Sequence, residues 1–175
     1  MSVELRPTID LIREARSTAF HYECRDTYAE PDEDDAFRAF LHNEPFDYRG
    51  WFQDWVTFVQ ELAERGVSVS RVRVVTVPHS DYQRWSLRVA GLNIEAGEDI
   101  RYLPRHLAQD VPPDDWWLID DHTVAFNLSS PDGRGTETAA VTTDPAIVGL
   151  CRSVKERLWS ISTPHAEYAQ VTPLP

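Results

Sequence analysis

"SRVRVVTVP", residues 70–78, decides the fold. It is rich in valine and closed by a proline, which is how an interior β-strand reads. Arg71 and Arg73 alternate with Val72 and Val74, so the strand sets both guanidinium groups on one face while its valines enter the core. Upstream, "WFQDWVTFVQELAERG" (51–66) places Trp51, Trp55, Phe58, Val59 and Leu62 at helical spacing and stops at Gly66, as a helix ending in a left-handed residue does. Downstream, "SDYQ" (80–83) is a capping box, with Ser80 as N-cap and Gln83 reaching back. It starts a helix whose Tyr82, Trp85, Val89 and Leu92 share a face. "EAGEDIRYLPR" (95–105) then gives a glycine turn and a second strand. Helix, valine strand, helix, strand is the order of an α/β domain with some parallel pairing.

The flanks complete this pattern. "AFHYECRDTY" (19–28) alternates as a half-buried strand, with Phe20, Tyr22 and Cys24 inward and His21, Glu23 and Arg25 in the polar set. "AEPDEDDAFRAFLHNEP" (29–45) runs from acidic residues into a short helix with Phe37, Phe40 and Leu41 as its stripe. The acidic run lacks the glycine and ligand spacing of a calcium loop, so it reads as a helix start. "WWLID", "TVAFNLS" and "TETAAVTT", separated by the turns "DDH" and "SSPDGRGTE", form an antiparallel meander. "TDPAIVGLCRSVKERLWSIST" (143–163) closes the chain with a helix capped by Asp144 and opened by Pro145, burying Ile147, Leu150, Cys151, Val154 and Leu158. The expected fold is one α/β domain over residues 1–175: a mixed sheet with flanking helices, ending in the meander and the C-terminal helix.

With 175 residues and 42% hydrophobic content, the chain is long enough to bury about 70% of its unfolded surface in one core. No apolar run approaches the roughly 18 residues that cross a bilayer, and the start lacks the order of a secretory signal. A cytoplasmic protein without membrane contact is expected. Cys24 and Cys151 show no CxxC spacing and read as reduced and buried. The formal charge of -12 repels phosphate backbones, which excludes direct nucleic-acid binding as the expected role. Lys155 is the only lysine against sixteen arginines, and its charged neighbours place it on a solvated helix face.

Chemistry concentrates in "PDDWWLIDDHTVAFNL" (113–128), which holds four aspartates, two tryptophans and a histidine. Carboxylates beside an imidazole suit a metal or acid–base pair. The turn reading competes, because Asp bonds its own backbone and tolerates unusual dihedrals, and it places Asp120, Asp121 and His122 in a tight hairpin. The six histidines never fall at metal-ligand spacing, so neither metal nor cofactor is expected. Ser80, Ser129 and Ser130 lack a nucleophile elbow, and the seven glycines form no phosphate loop.

The strings "RVRVVTVP", "AGEDIRYLPR", "DDWWLIDD" and the terminal "YAQ" together resemble an uncharacterised actinobacterial domain family over nearly the whole chain. Its members are encoded near WhiJ-like helix-turn-helix regulators. The resemblance implies a phospholipase-D-like α/β architecture. The HxKxxxxD signature of such enzymes fails here: aligned on Asp120 it finds Pro113 and Asp115, and aligned on Asp121 it finds Asp114 and Trp116.

A non-catalytic regulatory or sensor-like domain is therefore expected, interacting with a protein partner such as a helix-turn-helix regulator. The alternatives are a hydrolase using Asp120, Asp121 and His122 with Arg105, and an acidic mimic of nucleic acid. The residues expected to meet a ligand or partner are Arg71, Arg73, Arg105, Trp117, Asp120 and Asp121. The three arginines would recognise an acidic group, unless each is already paired with a carboxylate such as Glu98 or Asp99.

Overall fold

A computed structural model describes residues 3–130 and 134–172. Its elements are β1 (Glu4–Pro7), α1 (Thr8–Glu14), β2 (Thr18–Glu23), α2 (Asp34–Leu41), α3 (Tyr48–Glu64), β3 (Ser68–Val75), α4 (Asp81–Ala96), β4 (Asp99–Pro104), β5 (Trp116–Ile119), β6 (Thr123–Ser129), β7 (Gly135–Thr142), α5 (Pro145–Ile161), β8 (Thr163–Pro164) and α6 (His165–Val171). The eight strands form one mixed, open sheet in the order β1-β7-β6-β5-β2-β3-β4-β8. β2, β3 and β4 run parallel, and every other pairing is antiparallel.

Parallel neighbours need crossover connections, and the helices supply them: α2 and α3 join β2 to β3, and α4 joins β3 to β4. On the face beneath α3, Phe58, Val59 and Leu62 pack on Ala19, Val69, Trp117 and Ile119. The opposite face is covered by α5, whose Val148, Cys151, Val154 and Leu158 meet Phe20, Tyr22, Val72, Val74 and Trp116. Val72 and Val74 do enter the core, at 0% and 1% exposure.

Several local expectations change. β2 is covered on both faces because it lies between β3 and β5 under helices on either side, so His21 is buried rather than in a solvated polar set. In α2, Phe37 and Phe40 pack inward as expected and are joined by Ala36 and Ala39, small enough for close approach to α4, but Leu41 faces out. Leu150 also faces solvent, because α5 turns Val148 inward instead. Leu92 is only half-buried, at the margin of the Tyr82–Trp85–Val89 face. Ser80 Oγ accepts the Gln83 N–H as an N-cap, but the Gln83 side chain donates to the Arg25 carbonyl instead of reaching back. Lys155 is not on a solvated face: its Nζ lies 2.8 Å from Asp121 Oδ1 and 5.6 Å from the Phe20 ring centroid.

The "DDH" turn joins β5 to β6 through three residues, with φ of 51° at Asp120 and 56° at Asp121, the central pair of a turn closed by the His122 N–H on the Ile119 carbonyl. Positive φ at both central positions matches the twist of the flanking strands, and Asp is among the few residues that accept it. Within the second turn of the meander, residues 131–133 lie outside the described residues.

Candidate functional site

Along the face of the sheet beneath α3 and α4, the side chains change character. The pairing of Ala19 with Val69 and Ile119 is apolar. The next row holds Trp117, His21 and Arg71, and the row beyond it Glu23 and Arg73. Here a cleft of about 660 Å³ opens between sheet and helices, well within the size that holds small organic ligands. The polar rows form its floor, with Asn127 and Asp115 at one side. α3 contributes Trp51, Phe52, Asp54 and Trp55. α4 contributes Tyr82, Gln83, Trp85 and Ser86. The segment before α2 contributes Tyr28, Glu30, Asp32 and Glu33.

The floor is an ion network. Arg71 donates from Nε to Glu98 Oε2 at 2.9 Å, and its Nη1 lies 3.2 Å from Glu23 Oε1. Arg73 Nε lies 2.6 Å from Glu23 Oε2. The Glu98 side chain is 0% exposed, and its second oxygen accepts from Trp55 Nε1 and Asn93 Nδ2. Burial pushes the Glu23 carboxyl up, but Arg73 and Arg71 outweigh it and hold the group far below the usual carboxylate range. Burial likewise works against the Arg73 cation, and Glu23 more than restores it. These two arginines thus already carry carboxylates, and the expectation that they present an open anion site does not fit them.

His21 stacks on Trp117 with ring centroids 4.1 Å apart and an interplanar angle of 11°. Burial lowers its pKa to about 3, so the imidazole is neutral. Asn127 Nδ2 lies 3.2 Å from His21 Nε2; with that amide donating, the ring proton sits on Nδ1, 3.6 Å from Glu23 Oε1 and without a hydrogen bond. Three more buried atoms on cleft-lining residues have no partner: Gln83 Oε1, Trp85 Nε1 and Asn127 Oδ1. Native proteins leave few such groups unpaired, and four around one cavity is a concentration that asks for an occupant.

Two carboxyls at the cleft have raised pKa values. Glu33 is pushed up to about 7, first by burial, with Glu30 and Glu23 adding to it against the hydrogen bond from Tyr82 Oη. Asp115 is raised by burial, although it accepts from Tyr28 Oη at 2.5 Å and from the Cys24 N–H at 2.8 Å.

Of the residues singled out in the sequence, the cleft brings together Arg71, Arg73 and Trp117. Trp116, its neighbour, points to the other face and packs dry against Phe20 and Tyr22. Arg105 lies at the carboxyl ends of β2 and β3, donating to Thr76 Oγ1 at 3.0 Å, to the Cys24 and Val74 carbonyls, and lying 3.5 Å from Asp26. Asp120 sits at the opposite end of β2. Its carboxylate accepts the N–H groups of Arg16, Ser17 and Thr18 and the Ser17 hydroxyl, rather than its own backbone. Asp121 meets Lys155, and His122 Nδ1 meets Thr123 Oγ1. Asp120, Asp121, His122 and Arg105 therefore do not form one site. Among the described residues, no group of three or more His, Cys, Asp or Glu side chains is placed to hold a metal ion. No helix among the described residues is long and apolar enough to cross a membrane.

The sequence reading missed Glu33, Gln83 and Asn127 as cleft residues; Trp51, Trp55 and Trp85, read as core, do pack in or against the core and also line the cleft. The available signal was the aromatic density of 46–58 and 82–85 beside an acidic run, which an ordinary helix pair does not need.

Fold and cleft define an α/β protein with an open, mixed eight-stranded sheet and a pocketed face under its crossover helices. The chain belongs to the family described as Domain of unknown function (DUF6879), which matches residues 8–170. No curated protein matches the sequence.

Proposed function

We propose that the chain is a non-catalytic, sensor-like regulatory domain of the cytoplasm that holds a small ligand in the cleft and signals occupancy to a protein partner. One observation carries this reading: His21 Nδ1, Gln83 Oε1, Trp85 Nε1 and Asn127 Oδ1 are buried, unpartnered and placed around one cavity of ligand size. An unpaired buried polar group costs about 1–3 kcal/mol, and a ligand that pairs several recovers part of that cost as affinity. The partner favoured by the sequence resemblance is a helix-turn-helix regulator. The same resemblance supports a phospholipase-D-like scaffold that has lost HxKxxxxD and is kept for binding.

The test is thermal shift of the purified chain against pools of small metabolites, followed by turnover assays on phosphodiesters and esters. Ligand at 100 times its Kd adds about 2.7 kcal/mol, or roughly 5–10 °C for a chain this long. That shift should vanish in Ser86→Phe, which fills the cleft. Absence of any stabilising compound removes the sensor reading. Robust hydrolysis replaces it with an enzyme.

A further inference from the structure

The charges of the cleft are unequal. Arg71 and Arg73 are consumed by Glu23 and Glu98, and Asp115 is held by Tyr28 and Cys24. What remains facing the cavity is Glu30, Asp32, Glu33 and Asp54 against Arg25, which donates to Ser129 Oγ. Among the described residues no ion pair reaches Glu33, and Tyr82 Oη is its hydrogen-bond donor. A half-buried carboxylate without a cation is relieved either by taking up a proton or by a cation that arrives.

The walls suit such an arrival. The Tyr82 ring packs on Trp85 with centroids 5.2 Å apart and on Tyr28 at 5.6 Å, and Trp51 lies 6.0 Å from Trp85. The Glu33 carboxyl thus sits at the end of an aromatic wall, the surroundings in which organic cations gain from ring faces. Independently of the carboxylates, Gln83 is 4% exposed with Oε1 unpartnered, and Asn127 Oδ1 is unpartnered as well. Both are acceptors, so the ligand must bring N–H donors there, while the unpartnered His21 Nδ1 and Trp85 Nε1 donors call for an acceptor on the same ligand.

We infer that the cleft takes a planar nitrogen cation, an amidine, guanidine or protonated amino-heterocycle, held by Glu33 with its N–H groups on Gln83 and Asn127 and its plane against the Trp85–Tyr82 wall. This rests on the ligand-binding reading above and specifies its ligand class. A small molecule fits the cleft. Binding also couples to protons. Glu33 faces Glu30 from its own segment, Glu23 from β2, Arg73 from β3 and Tyr82 from α4, and with a pKa of about 7 it is half-protonated at neutral pH. A bound cation favours the ionised form, so affinity rises from pH 6 to pH 8.

The experiment uses three isosteres that differ in charge: benzamidine, benzamide and benzoate. The readout is the indole N–H signals of the full chain by NMR. Trp51, Trp55, Trp85 and Trp117 line the cleft, while Trp116 and Trp159 lie on the other face as internal controls. Benzamidine should move the cleft signals and bind at least tenfold tighter than benzamide, with no response to benzoate. Glu33→Gln should weaken benzamidine about tenfold, flatten its pH dependence and leave benzamide unchanged. Asp54→Asn, an exposed change that leaves the fold intact, should weaken benzamidine two- to threefold. If benzamide or benzoate binds as well as benzamidine, the cation class is wrong while the cleft still binds ligands. If benzamidine moves no cleft indole, the inference falls; if the metabolite pools are silent too, the sensor reading falls with it.

Discussion

Glu98→Gln isolates the energetics of the cleft floor. Glu98 Oε2 receives Arg71 Nε at 2.9 Å and Nη2 at 2.7 Å, and Oε1 receives Trp55 Nε1 at 2.5 Å and Asn93 Nδ2 at 2.7 Å. All four partners are donors. The amide replaces one acceptor by an NH2, so whichever way it is turned, donors face donors. The charge balance suffers as well: Arg71 is left to share Glu23 with Arg73, two buried cations on one carboxylate. Breaking a buried pair in this way costs about 3–5 kcal/mol. That is a large part of the roughly 5–15 kcal/mol of a typical domain, and it lowers Tm by about 10 °C at this chain length. Urea and thermal unfolding at pH 7 measure it. Arg71→Met combined with Glu98→Gln should cost less than the two single changes added together. In the double variant the oxygen of the introduced amide can stay with Trp55 and Asn93 while its NH2 meets no cation. A single-variant loss below about 1 kcal/mol, or strict additivity, would refute a dry, mutually dependent network.

The remaining predictions concern the scaffold. Asp120→Asn should cost about 1 kcal/mol at pH 7, discounted because the group is partly exposed to solvent. Burial raises the Asp120 pKa, but the Thr18, Ser17 and Arg16 N–H groups outweigh it and hold the pKa at about 2, against an ordinary 3.8. A depressed carboxylate stabilises fully above the ordinary value and loses that effect as pH falls towards 2, so unfolding curves of wild type and variant should converge there. Gly97→Ala and Gly91→Ala should have opposite signs, since neither added Cβ meets an atom within 4 Å. Gly97 has φ of 112°, so its variant loses about 1 kcal/mol or more, whereas Gly91 is interior to α4 and its variant gains up to about 1 kcal/mol in a urea titration. Burial pushes the thiol pKa of Cys24 up to about 12 and that of Cys151 to about 11. Disulfide-exchange reagents at pH 8 should therefore label both only as fast as the chain unfolds; rapid labelling of the native protein contradicts this.

Legibility in the sequence followed the range of the interactions. β3 was readable because valine content and a closing proline are local, and the Asp144 cap and Asp120–Asp121 turn were readable because they act within three or four residues. Errors arose where a distant neighbour decides. A stripe on α5 is about 100° wide, and whether Val148 or Leu150 lies at its centre depends on where the helix meets β4, β5 and β6. Alternation in β2 correctly separated Phe20 and Tyr22 from His21 and Glu23, but whether the polar set faces water depends on α3 and α4, which arrive later in the chain. The cleft was hardest: Glu33 meets Tyr82 across 49 positions, and His21 meets Asn127 across 106.

The composition of the floor bears on why the cleft exists. Ala19 and Val69 belong to the same face and the same strands as His21, Glu23, Arg71 and Arg73, so strand geometry alone would allow the apolar layer to continue. Apolar residues there would draw α3 and α4 down and close the space. Buried ion pairs are often no more stabilising than apolar replacements of similar size. Stability therefore gives little reason to keep two arginines, two glutamates and a neutral histidine under helices. A local departure from a well-patterned core, with unpaired polar atoms at its edge, is the expected mark of a functional site. The network keeps the floor rigid and neutral, leaving the charge of the cleft to be set by Glu30, Asp32, Glu33 and Asp54 at its wall.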